Sequence, residues 1–123
     1  MNSNTVDLHI PGGESMRLVA RLATVGYIAS AGLTLDEAED MKIAVAEALG
    51  AVGGERLHVQ FSTVDGAVEI AVVGDGKGAP REEVESEIAR YVLRSLADEV
   101  EIEENGAGQI GSIRMKKRLS GGA

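Results

Sequence analysis

Apolar residues recur at helical spacing between positions 40 and 52, and this amphipathic segment organises the rest of the chain. One stripe of the predicted helix is formed by Met41, Val45, Ala48, Leu49 and Val52. A second stripe, on the other side, consists of Asp40, Ile43, Ala44, Glu47, Gly50 and Ala51. Its small residues allow either another backbone or a flat ligand to approach closely, with Glu47 as the charge on that wall. The alternative is a solvated glutamate on an alanine-rich surface helix.

The pattern before this helix predicts one strand and one further helix. Val6, Leu8 and Ile10 alternate with polar residues, which indicates a strand. A helix from Glu14 to about Ser30 follows, and its apolar face is formed by Leu18, Val19, Leu22, Val25 and Ala29. Arg17 and Arg21 are placed on the outer side of this helix. Thr34 and Glu37 have the spacing of a capping box, which predicts the start of the central helix.

The pattern after the central helix predicts a hairpin, a third helix and a second hairpin. Asp65 and Gly66 suit a tight turn, and the strand after them ends in an apolar run that indicates burial on both faces. A helix is predicted to begin at Pro80, with an apolar stripe formed by Val84, Ile88, Val92 and Leu96. The last two strands are joined by a turn at Asn105–Gly106, with a bulge at Gly111 and basic residues opposite an acidic strand.

The element order is therefore β-α-α-β-β-α-β-β. Hairpins require antiparallel pairing, and the helices must cover one face of the sheet. The fold class expected is α+β, a two-layer sandwich of a mixed, mostly antiparallel sheet and three helices. At 123 residues, the chain is expected to form a single domain over residues 1–123.

Composition narrows the classes of function. Aromatic residues make up 2% of the chain, which argues against stacking platforms for single-stranded nucleic acid. A net charge of −8 argues against DNA and anionic membranes and favours a partner with a basic surface. The chain has no cysteine, and His9 and His58 lack the spacing of metal ligands, so no zinc site is expected. No signal peptide or apolar run of ~18 residues is evident, so a cytoplasmic location is expected.

Three stretches resemble one protein family. They are residues 35–52 (LDEAEDMKIAVAEALGAV), residues 68–78 (VEIAVVGDGKG) and residues 93–119 (LRSLADEVEIEENGAGQIGSIRMKKRL). The chain is similar over residues 6–119 to the bacterial anti-sigma factor serine kinases, which belong to the GHKL ATPase superfamily with the histidine kinases. The resemblance implies the histidine-kinase-like ATPase fold, ATP and Mg²⁺ as cofactors, and a homodimer. It also implies a sigma factor and a STAS-domain anti-anti-sigma protein as partners.

The resemblance places the family's catalytic and metal-binding residues on the central helix. Glu47 matches the glutamate that orients or activates the attacking hydroxyl. The asparagine that holds Mg²⁺ falls on Ala51, whose methyl group offers no oxygen ligand. The metal site is therefore expected to be lost, and Glu47 is expected to be vestigial or to serve an interface or the fold.

The nucleotide boxes that the resemblance implies are also altered. Gly76 and Gly78 match the two glycines of the D-x-G-x-G box, but the adenine-binding aspartate falls on Gly74. Asp75 lies one residue later than that position, and the lid of the family is deleted in this sequence. The phosphate-binding glycines before the next strand fall on Glu87 and Ala89.

Two functions of different classes follow. The first is a kinase-dead regulatory module of the anti-sigma type, which binds protein partners and needs no cofactor. The second is a divergent ATP-dependent serine kinase that uses Glu47, with Asp75 replacing the adenine anchor. The surface expected to bind a partner or a second copy comprises the first strand and the helix after it, where Arg17 and Arg21 form a forked cationic pair. No nucleic acid or membrane partner is expected.

Overall fold

A computed structural model describes residues 5–105 and 108–120, in which three helices cover one face of a five-stranded sheet. The elements are β1 (Val6–Pro11), α1 (Glu14–Ala29), α2 (Leu35–Ala51), β2 (Arg56–Val64), β3 (Ala67–Gly74), α3 (Glu83–Leu96), β4 (Glu99–Glu104) and β5 (Ile110–Arg118). The order of strands in the sheet is β1-β2-β3-β5-β4. The predicted α+β class and two-layer architecture are confirmed.

The sheet is antiparallel in every pairing of the described strands, whereas a mixed sheet was expected. The reason lies in the crossover through α3. This crossover carries the chain from β3 to the edge of the sheet, where it forms β4, and it leaves the place next to β3 open. β5 then returns between β3 and β4 and pairs antiparallel with both.

The turns and caps that depend on local sequence are confirmed. Thr34 Oγ1 accepts from the Glu37 amide at 3.2 Å, and Glu37 Oε1 accepts from the Thr34 amide at 2.8 Å. Asp65 and Gly66 both have positive φ, as a tight hairpin turn requires. The register of β4 and β5 shifts beside Gly111, where the bulge was predicted. The turn expected at Asn105–Gly106 includes Gly106, which lies outside the described residues.

The face of α1 that packs against the rest of the molecule differs from the predicted one. Leu18, Val19, Leu22 and Val25 are exposed, and the buried positions are Arg17, Ala20, Thr24 and Ile28. The prediction that Arg17 lies on the outer side is therefore wrong. Its placement follows from its hydrogen bonds with α2, which draw the polar edge of α1 inward.

The helix α3 begins at Glu83, three residues later than predicted, and is rotated relative to its apolar pattern. Glu82, which caps the helix, has an extended backbone, and the Arg81 amide before it donates to Gln109 Oε1 at 2.8 Å. Ala89 and Leu93 are buried, whereas Val84 and Ile88 of the predicted core stripe are exposed.

The three helices lie side by side with α2 in the middle, since α2 contacts both α1 and α3. Arg17, near the start of α1, bonds to carbonyls at the end of α2, so these two helices are antiparallel. Lys117 Nζ donates to Asp40 near the start of α2 and to the Leu96 carbonyl at the end of α3, so these two are also antiparallel. The helices of the described chain are too short or too polar to cross a membrane.

Candidate functional site

Two arginines from different segments converge on the C-terminal end of α2. Arg17 Nε donates to the Gly12 carbonyl at 2.6 Å, and its Nη1 donates to the carbonyls of Val52, at 2.8 Å, and Leu49. The last carbonyls of a helix have no partner within the helix and carry partial negative charge. The guanidinium of Arg17 therefore satisfies this end of α2 from a position that is only 4% exposed.

Arg81, which precedes α3, meets the same end of α2 from the other side. Its Nε donates to the Gly50 carbonyl at 2.8 Å, and its guanidinium lies 3.4 Å from Glu14 and 3.9 Å from Glu85. Burial lowers the pKa of Arg17, the charge of Arg81 lowers it further, and Glu14 opposes both effects. The sequence offered no sign of the bond from Arg81 to Gly50, because the two residues lie 31 positions apart.

Asp75 ties the glycine loop after β3 to the beginning of β2. Its Oδ1 accepts from the amides of Lys77 and Glu55, both at 3.0 Å. These bonds lower the pKa of Asp75, the Lys77 amide having the largest effect. Gly76 and Gly78 in this loop both have positive φ, which suits glycine. The carboxylate of Asp75 therefore links two segments of the backbone, a role that the sequence did not indicate.

We expect the Asp75→Asn variant to loosen this loop at neutral pH. The folded-state pKa of Asp75 is lowered, so its contribution to stability is present above its ordinary pKa of 3.8 and is lost as the pH falls through the lower folded value. The variant should therefore show at pH 7 the reduced protection of the Glu55 and Lys77 amides, relative to their intrinsic exchange rates, that wild type shows only in acid. Hydrogen exchange by NMR measures this, with Asp65→Asn as a control that removes the same charge elsewhere. Unchanged exchange in Asp75→Asn would contradict the assignment.

Gly74, at the position of the family's adenine-binding aspartate, faces backbone at very short range. A Cβ added to Gly74 would lie 1.9 Å from the Gly53 carbonyl oxygen and 3.1 Å from Val52 Cγ1. The linker between α2 and β2 therefore fills the space into which that aspartate would project. No side chain fits at this position without a shift of the linker.

Ala51, at the position of the family's metal-binding asparagine, is buried and 1% exposed. Helical spacing puts Ala44 and Ala51 on the same side of α2 as Asp40, which Lys117 links to the end of α3. Only part of the small-residue stripe of α2 is therefore closed off: Ala44 and Ala51 are buried, whereas Ile43 of the same stripe is exposed. Ala89, at a position of the family's phosphate-binding glycines, is buried as well.

Glu47 lies away from the glycine loop. It is half-buried and lines a groove of about 310 Å³ between α1 and α2, together with Arg21, Lys42 and Ile43. Gly76 and Gly78 line a different cleft, of about 150 Å³, which is small compared with the ~300–1,000 Å³ of typical ligand pockets. The structure does not bring the predicted site residues together in one cavity.

The residues present do not fit a nucleotide with its metal. Ala51 and Gly74 supply neither the oxygen ligand nor the carboxylate that the family uses. Asp75 is engaged by backbone amides. Within residues 5–105 and 108–120, no group of three or more His, Asp or Glu side chains is placed to hold a metal ion.

The forked cationic pair expected of Arg17 and Arg21 does not exist. Arg17 is buried against α2, whereas Arg21 is exposed beside the groove. The burial of Arg17 has a signal in the sequence, since it shares one helical face with Ala20, Thr24 and Ile28. That face is less apolar than the predicted face, which contains Leu18, Leu22 and Val25. The hydrophobic pattern therefore predicted the wrong side of α1 to be buried.

Comparison with known proteins reveals a shared fold. No family model matches the sequence, and no curated protein matches it either. Among solved structures, the chain is similar to the crystal structure of the RsbU and RsbW domains of Rv1364c from Mycobacterium tuberculosis, with a TM-score of 0.68 and 18% sequence identity. The match covers 95% of this chain and 33% of that one, so this chain spans about a third of its length. At this identity, the likeness establishes the fold alone.

Proposed function

We propose that this protein is a regulator of the anti-sigma type, which acts by binding other proteins in the partner-switching control of transcription. The likeness to a structure of RsbU and RsbW domains supports partner switching in general. The resemblance of the sequence narrows the partners to a sigma factor or a STAS-domain anti-anti-sigma protein. The net charge of −8 suits a partner with a basic surface.

The proposal includes the loss of nucleotide-dependent activity, and one observation carries this part. The Gly53 carbonyl closes the space beside Gly74, so the position of the adenine anchor accepts no side chain. Phosphoryl transfer depends on positioning and on neutralisation of charge, and a single glutamate such as Glu47 supplies neither. The exposed Glu82, Glu83 and Glu85 near the start of α3 also repel phosphate.

Titration with ATP and ADP in the presence of Mg²⁺ tests this part of the proposal. We expect neither heat in calorimetry nor a thermal shift at millimolar nucleotide. In parallel, purified sigma factors and STAS-domain proteins of the source genome are tested for binding without nucleotide, where we expect one of them to bind. Micromolar nucleotide binding, followed by phosphorylation of a STAS protein, would establish the alternative, an active serine kinase.

Restoring the metal ligand alone should not restore kinase activity. In the Ala51→Asn variant, the amide would enter a buried position, so we expect the free energy of unfolding to fall by about 1–3 kcal/mol. Transfer of labelled phosphate from ATP to a STAS protein should stay at the background level. Robust transfer by this variant would show that only the metal ligand had been lost.

A further inference from the structure

The sheet ends on one side at β4, whose outer edge pairs with none of the described strands. An edge strand carries backbone N–H and C=O groups that point away from the sheet and can pair with an added strand. β4 contains no proline, so each of its residues keeps its N–H group. Its register with β5 shifts between Glu103 and Glu104, so the regular part of this edge covers residues 99–103.

The side chains of β4 alternate between acidic and apolar. Glu99, Glu101 and Glu103 are exposed on the face of the sheet that the helices leave open. Val100 and Ile102 are half-buried on the other face, against the core. Because the side chains of a strand stand roughly perpendicular to the sheet, they are within reach of a neighbouring strand on either side. An added strand therefore needs residues that suit an acidic face, in alternation with residues that suit an apolar one.

The strand that already pairs with β4 shows which sequence pattern fits it. Basic residues of β5 lie opposite the glutamates and apolar residues lie opposite the apolar ones, in the pairs Glu99–Lys116, Val100–Met115, Glu101–Arg114 and Ile102–Ile113. Glu99 Oε2 accepts from Arg118 Nη2 at 2.7 Å, and Lys116 Nζ lies 3.9 Å from Glu99 Oε1. A strand in which basic and apolar residues alternate is thus complementary to β4 on both faces.

The contacts with β5 leave negative charge on β4. The side chain of Glu101 is 78% exposed, and Arg114, its cation at 3.9 Å, lies equally far from Glu69 on β3. Glu103 accepts from the Ser112 hydroxyl at 3.3 Å and forms no ion pair within the described part of the chain. This charge repels an acidic strand, including the β4 of another copy, so the edge favours a basic segment of a different protein.

We propose that the open edge of β4 binds an extended basic segment of another protein, which adds a strand to the five-stranded sheet. The segment carries Lys or Arg at every second position and apolar residues between them, over the stretch that faces residues 99–103. In this mode of recognition, main-chain hydrogen bonds supply affinity and the alternate side chains supply specificity. The proposal stands independently of the proposed function, because it requires neither a nucleotide nor a sigma factor.

A peptide with the sequence of residues 112–118, SIRMKKR, is the probe, because it copies the strand that fits β4. The control peptide SIMRKKR has the same composition and charge, but one basic and one apolar residue are exchanged, so its faces no longer alternate. In NMR titrations, we expect the first peptide to shift the amides of residues 99–103 and the control to bind about 10-fold more weakly. Loss of the pairing between β3 and β5 would show that the peptide replaces β5, which contradicts the proposal.

Two N-methylated forms of the peptide SIRMKKR test whether the main chain pairs with β4. In an added antiparallel strand, the N–H groups of alternate residues point toward β4 and the others point toward solvent. Methylation of one alternate set of amides should therefore abolish binding, whereas methylation of the other set should leave it. Equal binding of the two forms would show that no strand is added, and the proposal would fail.

A charge reversal on β4 tests the side chains. Glu101→Lys should weaken binding of the peptide by about 10-fold, because a like charge then faces its basic residues. Glu55→Lys is the matched control, since Glu55 is exposed just before β2, away from β4, and in about 0.15 M salt charges are screened beyond ~8 Å. Circular dichroism checks that both variants are folded. Equal loss of binding in both variants would show general charge attraction, and no binding of the peptide at millimolar concentration would show that the glutamates only keep this edge unpaired. Either result would overturn the proposal.

Discussion

Arg17→Met should lower the free energy of unfolding by about 3–5 kcal/mol, because it removes the buried hydrogen bonds that hold α1, α2 and the chain after β1 together. The carbonyls of Gly12, Leu49 and Val52 would lose their charged donor in a place where water has little access. The melting temperature should fall by about 12–20 °C for a chain of this size. Urea unfolding followed by circular dichroism measures the change.

The matched control is Arg21→Met, one helical turn away on the same helix. Arg21 is exposed, and an exposed substitution of this kind typically changes stability by less than about 0.5 kcal/mol. The comparison separates the burial of Arg17 from the general effect of removing a charge from α1. Equal effects of the two substitutions would show that the contact between Arg17 and α2 contributes little.

This contrast also revises an experiment that the sequence alone would suggest. The sequence predicted both arginines to be on the surface, so that reversing both charges would leave the fold intact. Arg17→Glu would instead place a carboxylate among buried carbonyl oxygens, and the protein would unfold. Arg21 is therefore the arginine whose charge can be reversed to test whether the surface formed by β1 and α1 binds a partner or a second copy.

The elements of the fold were predictable because their signals are local. The capping box of Thr34 and Glu37 and the turn at Asp65 and Gly66 each depend on residues close together in the sequence. Alternation of apolar residues, the turn signals and, for β3, an apolar run located the strands, and the hairpins determined most of their pairing. The class and the layers of the fold follow from these local features.

The buried faces of α1 and α3 were not predictable from periodicity, because in each helix more than one face has residues at helical spacing that could pack inward. Periodicity assumes that the most apolar face packs inward. In α1, the bonds of Arg17 to the end of α2 select a less apolar face, and in α3 the buried residues are Ala89 and Leu93 rather than Val84 and Ile88.

Of the candidate site, the sequence predicted only which of the family's functional groups are missing. The absence of an oxygen ligand at Ala51 and of a carboxylate at Gly74 can be read directly from the sequence. That Gly53 closes the space beside Gly74, and that Asp75 is engaged by the amides of Glu55 and Lys77, depends on contacts between distant segments. Such contacts leave no periodic signal in the chain.

Gly74→Asp, which restores the family's adenine anchor in the sequence, should destabilise the protein severely and restore no binding of ATP. The new Cβ would lie 1.9 Å from the Gly53 carbonyl oxygen, a distance that only movement of backbone can relieve. We expect a loss of more than about 4 kcal/mol, which is at the extreme for single substitutions. Gly74→Ala carries the same Cβ without a charge and should lose nearly as much.

Gly26→Ala provides the matched control for these glycine substitutions. A Cβ added at Gly26 meets no atom within 4 Å, and Gly26 lies inside α1. Alanine there should stabilise the protein by about 0.5–1 kcal/mol, because glycine is the poorer helix former. The three variants therefore separate contact with Gly53 from the general cost of replacing a glycine. A stable Gly74→Asp variant that binds ATP would show that the linker between α2 and β2 moves aside, and the nucleotide site would then be dormant rather than lost.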